Sequence, residues 1–320
     1  MNWQQKIAIR DTGLEVTPLC YGSTALGNMP DTYGYAVSEE DAVEVLQKIL
    51  TGPVNFLDTS RNYGFGRSEE RIGKAIRALG GLPEGFVIST KLDRNMETNR
   101  FDAARARESF EESCEALGMD RLQLVHLHDP EYASSLDDVE GALEELFRLK
   151  EEGRVQAVGL AAGKVGVMMP ILRKWDFDAL ITHNRFTLLN RNAEELINLA
   201  RSKGTAVLNA APYASGLLAK GPETATRYVY MEASDDIREQ ARRRAEICAR
   251  HEVPLGAAAL QFSMRDPRIT STICGVGSNE QAERTLEWAS LELPEALWEE
   301  LAALPAETAD PEANRVYQPG

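Results

Sequence analysis

The segment VNFLDT at residues 54–59 is the first of several short apolar runs that recur along the chain, and their recurrence indicates the fold. The other clear runs are GFVISTK at 85–91, LQLVHLH at 122–128, VQAVGL at 155–160, DALITHN at 178–184 and TAVLNAA at 205–211. They are almost continuously apolar, as strands buried on both faces of a sheet are. A polar junction and a helical pattern follow these runs. The sequence therefore predicts a repeated strand–helix unit.

The number of units indicates the architecture. With the less clear runs included, eight predicted strands end at Gly22, Asp58, Lys91, His128, Leu160, Asn184, Ala210 and Gly275. Most intervals between these positions have the length of one strand, one helix and two short loops. Eight such units predict a (β/α)8 TIM barrel, an α/β fold, as a single domain over residues 1–320. The alternative is a doubly wound open sheet, which usually has a glycine fingerprint after its first strand, and none is present there.

Two segments lie outside the repeat. Residues 6–19, KIAIRDTGLEVTPL, are predicted to form a hairpin that turns at residues 11–13 and closes the bottom of the barrel. The interval between the seventh and eighth strands is unusually long, and its excess lies in GLLAKGPETATRYVYMEASDD at residues 216–236. An insertion at this end of a barrel is predicted to be either a lid or cofactor clasp, or an added surface helix.

Composition restricts the class of partner. The chain has 35 Lys and Arg residues against 50 Asp and Glu residues, a formal net charge of −15. A field of that sign repels nucleic-acid backbones and anionic membrane surfaces, so neither is expected as a partner. The four cysteines have neither zinc-site spacing nor a disulfide framework. Because no signal-peptide pattern or membrane-spanning run is present, we expect a cytoplasmic protein, and the sequence carries no signal for an oligomeric state.

Four ionisable residues follow three neighbouring predicted strands. Asp58, Lys91 and His128 end the second, third and fourth strands, and Tyr63 lies in the loop after Asp58. The chemistry of barrel enzymes gathers at these strand ends. A tyrosine has a pKa of about 10, and an adjacent ammonium group lowers it. Lys91, held by Asp58, is therefore expected to tune Tyr63 for proton transfer, while a neutral His128 hydrogen-bonds a substrate oxygen.

These residues lie in segments that resemble the aldo-keto reductase family, namely NFLDTSRNYGFGRSEERIGKAI at 55–76, ISTK at 88–91 and LVHLHDP at 124–130. Two later segments, ITHNRFTLL from residue 181 and NAAPYASGLL from residue 209, are similar to a subgroup that oxidises aldoses and pyridoxal. The resemblance implies that Asp58, Tyr63, Lys91 and His128 are the catalytic residues. It also implies a (β/α)8 barrel, a nicotinamide cofactor extended across the strand ends, and no metal.

The loop CGVGSNEQAERT at residues 274–285 is predicted to hold the phosphates of the cofactor, because small residues before a helix leave backbone N–H groups free. The residues expected to contact the cofactor here are Gly275, Val276, Gly277, Ser278 and Gln281. Family members that prefer NADP usually have Lys or Arg in this loop to meet the 2′-phosphate. Residues 274–283 contain no basic side chain, which predicts NAD rather than NADP.

The resemblance implies further cofactor contacts at Gly22, Ser23, Thr24, Asp58, Pro212, Tyr213, Ala214, Ser215 and Leu217. Ala161 and Ala162 stand where the family often has Ser-Asn against the nicotinamide amide. Ala210 stands where many members have a tyrosine beneath the ring. Either His183 or Asn184 is expected to supply the amide contact instead, and the sequence leaves open which of them does.

The predicted reaction is hydride transfer between a nicotinamide cofactor and a small sugar or aldehyde, most specifically oxidation of an aldose hemiacetal to a lactone. Pyridoxal 4-dehydrogenase activity and general NADPH-dependent aldehyde reduction are the alternatives in the same family. A more distant alternative is a metal-dependent barrel hydrolase, because His126 and His128 project to the same side of a strand and His183 could join them. A nucleotide sensor without catalytic activity is a further possibility on the same fold.

Overall fold

The computed structural model describes residues 3–133, 139–313 and 315. Its strands are β1 Ile7–Ala8, β2 Glu15–Val16, β3 Leu19–Gly22, β4 Phe56–Asp58, β5 Val87–Leu92, β6 Leu122–His128, β7 Val155–Ala162, β8 Ala179–His183, β9 Ala206–Ala210, β10 Arg227–Tyr228, β11 Met231–Glu232 and β12 Ser271–Gly275. Eight of them, β3 to β9 and β12, are parallel and form a closed barrel in which β12 pairs with both β9 and β3. The barrel prediction is confirmed, and each strand ends within two residues of its predicted position.

Helices surround the barrel between its strands. They are α1 Pro30–Tyr33, α2 Glu39–Leu50, α3 Arg67–Ala78, α4 Ala103–Leu117, α5 Glu140–Glu151, α6 Val165–Lys174, α7 Glu194–Ser202, α8 Leu217–Lys220, α9 Asp235–Arg250, α10 Leu255–Met264, α11 Asn279–Ser290 and α12 Glu295–Ala302. None of the helices in the described part of the chain is both long and apolar enough to cross a membrane.

The N-terminal hairpin closes the lower end of the barrel. Strands β1 and β2 pair antiparallel, and Ile9, Leu14 and Val16 pack into the same buried cluster as the inward-facing side chains of the barrel strands. Gln156 on β7 donates a hydrogen bond of 2.9 Å to the Thr12 carbonyl in the turn. The predicted position of this hairpin is confirmed, since its apolar side chains join the core inside the barrel.

The insertion after β9 contains a helix, as one of its two predictions has it, and its role as a lid or cofactor clasp stays a prediction. It contains the short helix α8 and then the two-stranded hairpin β10–β11, whose turn residues Val229 and Tyr230 are both left-handed. Arg227 of this hairpin donates to the carbonyls of Asp31 and Thr32, at 3.3 Å and 3.0 Å, in the first loop at the mouth of the barrel. The hairpin therefore contacts the loop after β3 and places Tyr230 at the mouth.

The C-terminal segment returns to the mouth along the loop after β8. Glu307 exchanges backbone hydrogen bonds with Leu189 and Arg191 in that loop. Further on, the fully buried Arg185 forms ion pairs with Asp310 at 2.6 Å and Glu312 at 2.9 Å. These contacts hold residues 307–312 beside the end of β8, which is where two of the predicted cofactor contacts lie.

Candidate active site

A buried ion pair lies at the ends of β4 and β5. Lys91 Nζ is 2.8 Å and 3.0 Å from the two carboxylate oxygens of Asp58, and it also donates to the Thr59 carbonyl at 2.6 Å. Both ionised side chains are almost fully buried. The Ser89 hydroxyl donates to Asp58 as well, at 3.0 Å. Because the ammonium group has three protons, these three acceptors occupy all its donors and fix its position.

Tyr63 lies over this ion pair, on a loop whose path depends on glycine. Gly64 is left-handed and packs on Gly27 so closely that an added Cβ would lie 2.1 Å from the Gly27 carbonyl oxygen. Lys91 Nζ is 4.7 Å from the centre of the Tyr63 ring, so it faces the ring. Burial raises the pKa of Tyr63 well above its ordinary value, and the negative charge of Asp58 raises it further.

The structure therefore does not support the prediction that Lys91 lowers the pKa of Tyr63. The positive charge of Lys91 is largely neutralised by Asp58, and its donors point to the carboxylate and to a carbonyl. A buried phenol without a free neighbouring cation stays protonated. In this arrangement Tyr63 is a hydrogen-bond donor that transfers its proton only when another group accepts it.

His128 ends β6 between two carboxylates. Its Nδ1 atom is 2.5 Å from Asp93 Oδ1, and its Nε2 atom is 3.6 Å from Asp129 Oδ1. Its ring lies edge-on to that of Tyr63, with the ring centres 6.0 Å apart. Burial lowers the pKa of His128, but the two carboxylates outweigh burial and raise it above its ordinary value. His128 is thus more readily charged than the neutral ring expected from the sequence.

Asp93 is the site residue that the sequence analysis missed. It lies beyond the end of β5, two residues after Lys91, and its carboxylate is almost fully buried. Residues two apart on a strand project to the same face, so the position of Lys91 carried a usable signal for Asp93. That signal was hidden because Asp93 follows the predicted strand end at Lys91.

His126 lies beneath the ion pair and explains the histidine pattern on β6. Its Nδ1 atom is 3.2 Å from the Ser89 hydroxyl, which itself donates to Asp58. Ser89 must then accept a hydrogen bond from His126, so the hydrogen of the ring is on Nδ1. Burial lowers its pKa well below the ordinary value. An added Cβ at Gly159 would lie 2.2 Å from this ring, so glycine is needed there.

The described residues contain no group of three or more His, Cys, Asp or Glu side chains arranged to hold a metal ion. His126 and His128 do project to the same side of β6, as the pattern predicts, but each makes hydrogen bonds of another kind. His183, the third histidine considered, ends β8 and has its own partner in Asn184.

His183 and Asn184 both lie at the mouth, in different environments. The His183 ring lies edge-on to Tyr230, with ring centres 6.5 Å apart. Burial and the nearby Arg185 lower the pKa of His183 to about 4, so the ring is neutral. Asn184 is left-handed and almost fully buried; its amide nitrogen is 3.1 Å from His183 Nδ1, and its Oδ1 atom has no hydrogen-bond partner.

The predicted phosphate loop borders an open cavity of about 450 Å³. The cavity lies between α2 and the start of α11 and is lined by Tyr35, Ala36, Val37, Asp41, Glu44, Val45, Gly277, Ser278, Asn279, Glu280 and Gln281. Three of these side chains are acidic and none is basic. The nearby Arg284 is paired with Glu280, one helical turn away. Ser278 caps α11, and Gln281 accepts a hydrogen bond from the Gly277 backbone.

Most of the other predicted cofactor residues belong to two groups. In the first group Gly22 pairs with Asp58 and with Gly275 in the barrel register, and Ser23 donates to the Asp58 carbonyl, so Gly22 and Ser23 lie beside Asp58 and its ion pair. The second group has side chains buried in the protein core, which leaves only its backbone groups available, and it consists of Ala161, Ala162, Ala214, Leu217 and Val276. The Tyr213 ring packs edge-on against Trp288, with ring centres 5.7 Å apart.

The chain is similar to known proteins in sequence and in fold. The model of the Aldo/keto reductase family matches residues 18–305. The D-threo-aldose 1-dehydrogenase of Pseudomonas sp is 31% identical, over 91% of this chain and 94% of that protein. The pyridoxal 4-dehydrogenase of Microbacterium luteolum is 28% identical, over 92% and 95%. The holo form of the aldo-keto reductase AKR11C1 from Bacillus halodurans has the same fold, with a TM-score of 0.77 at 22% identity over 98% of this chain and 99% of that chain.

Proposed function

This chain belongs to the aldo/keto reductase family and is an NAD(P)-dependent oxidoreductase, and we propose that it oxidises a small aldose at its anomeric carbon with NAD. The observation that carries the proposal is the group of Asp58, Tyr63, Lys91 and His128 at one end of the barrel. A relative named for aldose oxidation matches nearly the whole chain. The L-galactose dehydrogenase of Arabidopsis thaliana, 29% identical over 87% of this chain and 86% of that protein, has the same substrate class in its name.

The residues at the mouth fit a nicotinamide cofactor. Asn184 Oδ1 is buried and has no partner, which suits it to accept a hydrogen bond from the carboxamide of the nicotinamide. The neutral His183 ring beside it is a second candidate for that contact. When bound, the cofactor supplies the acceptor for the hydride from the substrate. The small residues at the start of α11 would face its phosphates.

The roles that we assign to the four residues follow from their contacts. Asp58 holds Lys91 charged, and Lys91 keeps Tyr63 in place by facing its ring. Tyr63 hydrogen-bonds the anomeric hydroxyl of the sugar and moves its proton. His128 accepts that proton, because its pKa lies nearer to neutrality than that of Tyr63. The half-exposed Tyr230 provides an aromatic surface at the rim for a sugar ring, whereas one face of the Tyr132 ring is covered by Arg94.

The cofactor cavity predicts a preference for NAD. A 2′-phosphate in this cavity would meet Asp41, Glu44 and Glu280, and the nearby cations Arg284 and Lys48 are already paired with Glu280 and Glu44. A missing charge-assisted hydrogen bond is worth about 1.5–3 kcal/mol, or roughly one to two decades in affinity. We expect the Kd for NAD, measured by quenching of protein fluorescence, to be lower than that for NADP by this factor. An equal or lower Kd for NADP would show that a cation such as Arg284 leaves its partner and reaches the phosphate.

The substrate proposal is tested by comparing catalytic efficiencies at a fixed NAD concentration. The panel consists of L-fucose, D-arabinose, L-galactose and pyridoxal for oxidation, and of simple aldehydes with NADPH for reduction. We expect an aldose to have the highest kcat/KM of the panel. If pyridoxal is the best substrate instead, the proposed substrate changes from a sugar to another hemiacetal. Inert sugars and pyridoxal together with rapid aldehyde reduction would overturn the proposal in favour of a general aldehyde reductase.

A further inference from the structure

The Asp93 carboxylate, which contacts His128, is held by several hydrogen bonds. Asp93 Oδ2 accepts hydrogen bonds from the Ser60 hydroxyl at 2.5 Å and from the Asn62 backbone at 3.1 Å. Its own backbone nitrogen donates to Ser109 at 2.9 Å, and its carbonyl accepts from Arg105 at 3.0 Å. Only Oδ1 remains, and this atom is 2.5 Å from His128 Nδ1. The carboxylate therefore has one free position, which faces the histidine.

The protonation of this pair follows from hydrogen-bond chemistry. Burial raises the pKa of Asp93, but His128, the Ser60 hydroxyl and the Asn62 N–H lower it below the ordinary value, so the carboxylate is ionised. An ionised carboxylate only accepts hydrogen bonds, so His128 Nδ1 must be the donor. When the ring is neutral, Nδ1 keeps its hydrogen and the lone pair is on Nε2. Nε2 is on the side of the ring that faces Asp129.

We propose that Asp93 is a positioning residue for His128, which holds the hydrogen on Nδ1 and so makes Nε2 the atom that accepts the proton released by the substrate. This inference rests on the proposed oxidation. The substrate O–H bond breaks and its proton passes through the Tyr63 hydroxyl to Nε2, where an N–H bond forms. The anomeric carbon becomes a carbonyl carbon as its hydride leaves for the NAD cofactor. The Asp129 carboxylate lies beside Nε2 and is partly exposed, and it then transfers the proton to solvent.

Asp93→Asn is a sharp test because the Asn62 N–H, which can only donate, favours one orientation of the amide. It keeps the amide oxygen at the Oδ2 position, where the Ser60 hydroxyl, which also lies 3.3 Å from His128 Nδ1, donates to the same oxygen. The amide NH2 then faces His128 Nδ1 and donates to it. Nδ1 becomes an acceptor, the hydrogen moves to Nε2, and Nε2 loses the lone pair that the reaction needs. The same change removes the negative charge that favours the charged ring.

The first measurement is nitrogen NMR of the nucleotide-free protein with labelled histidine. The chain has four histidines, so His128 is assigned by comparison with His128→Gln. Wild-type His128 is expected to titrate above its ordinary pKa and, when neutral, to have its hydrogen on Nδ1. In Asp93→Asn we expect the hydrogen on Nε2 and a pKa lower than in the wild type, because the negative charge beside the ring is gone. The groups facing His128 that contribute to its titration are Asp93, Asp129, Lys91, Tyr63, His126 and His183.

The second measurement is the pH profile of turnover with NAD and the best aldose. A base must be deprotonated to act, so kcat rises with pH through the pKa of His128. In Asp93→Asn this rise shifts to lower pH, and the maximal kcat falls roughly ten- to a hundredfold, the effect typical of removing such a supporting partner. The Kd for NAD stays unchanged. Ser109→Ala is the matched control, because it removes a contact to the backbone of residue 93 and leaves the carboxylate in place.

Three outcomes would overturn the proposal. One is a wild-type His128 whose neutral ring has its hydrogen on Nε2, a result that needs no variant to fold. Another is an Asp93→Asn protein with the wild-type tautomer and titration. The third is a Ser109→Ala protein with the same shift in the pH profile. The NMR result is independent of substrate, so expected spectra together with inactivity on every sugar would contradict the proposed function and leave the positioning role standing.

Discussion

Tyr63→Phe is expected to lower turnover with NAD by roughly two to four decades, the usual size of a general acid–base contribution. The substitution removes only the hydroxyl. The ring remains against Lys91 Nζ at 4.7 Å and edge-on to His128, so neither the buried ion pair nor the neighbouring loop should move. The affinity for NAD should therefore be nearly unchanged, while kcat falls with little change in KM.

Single-turnover kinetics with saturating NAD separates this loss from binding. Tyr21→Phe is the control, because its hydroxyl donates to the Ala282 carbonyl on α11 and to none of the four candidate catalytic residues. It should retain wild-type turnover and lose only the small stabilisation of one hydrogen bond. If Tyr63→Phe turns over within a factor of two or three of the wild type, the substrate proton reaches His128 without Tyr63 and the role assigned to this residue is wrong.

Arg185→Met is expected to destabilise the folded protein by about 3 kcal/mol, at the lower end of the range for breaking a buried ion pair. Arg185 is fully buried and pairs with both Asp310 and Glu312. Methionine fills much of the volume but leaves the buried Glu312 without this partner. Arg315 still pairs with Glu312, which is why we expect the lower end of the range.

Urea unfolding followed by far-ultraviolet circular dichroism measures this change. The matched control is Arg243→Met, which removes an exposed pair with Glu239 on α9 and should cost less than about 1 kcal/mol. Hydrogen exchange should also show faster exchange in the segment that contains Asp310 and Glu312. If Arg185→Met and the control unfold at the same urea concentration, the ion pairs of Arg185 contribute little to stability. The C-terminal segment would then be held by its backbone hydrogen bonds with the loop after β8.

The sequence predicted those features that depend on local patterns. The apolar runs located all eight barrel strands, because strands buried on both faces have a composition that differs from their surroundings. Because the carboxyl ends of parallel barrel strands lie on the same side of the barrel, the sequence alone could group Asp58, Lys91 and His128. The resemblance in the segment from residue 55 to 76 added Tyr63 to the group.

Features that depend on distant contacts or on side-chain direction could not be predicted in this way. The pairing of Arg185 with Asp310 joins residues 125 positions apart, and no periodic pattern indicates it. The sequence predicts that Lys91, held by Asp58, lowers the pKa of Tyr63, yet its donors point only to Asp58 and Thr59, because a buried carboxylate and a carbonyl are stronger acceptors than a phenol. Asp93 was missed because it lies beyond both the predicted end of the strand, Lys91, and its observed end, Leu92.

Deuterium labelling shows whether hydride leaves the anomeric carbon of an aldose. The most active aldose from the panel, carrying deuterium at its anomeric carbon, is incubated with the wild-type protein and NAD, and the reduced nucleotide is analysed by mass spectrometry. We expect one deuterium in each reduced nicotinamide and the sugar lactone as the other product. Reduced nucleotide without deuterium, or a product oxidised at any other carbon, would contradict the proposed oxidation.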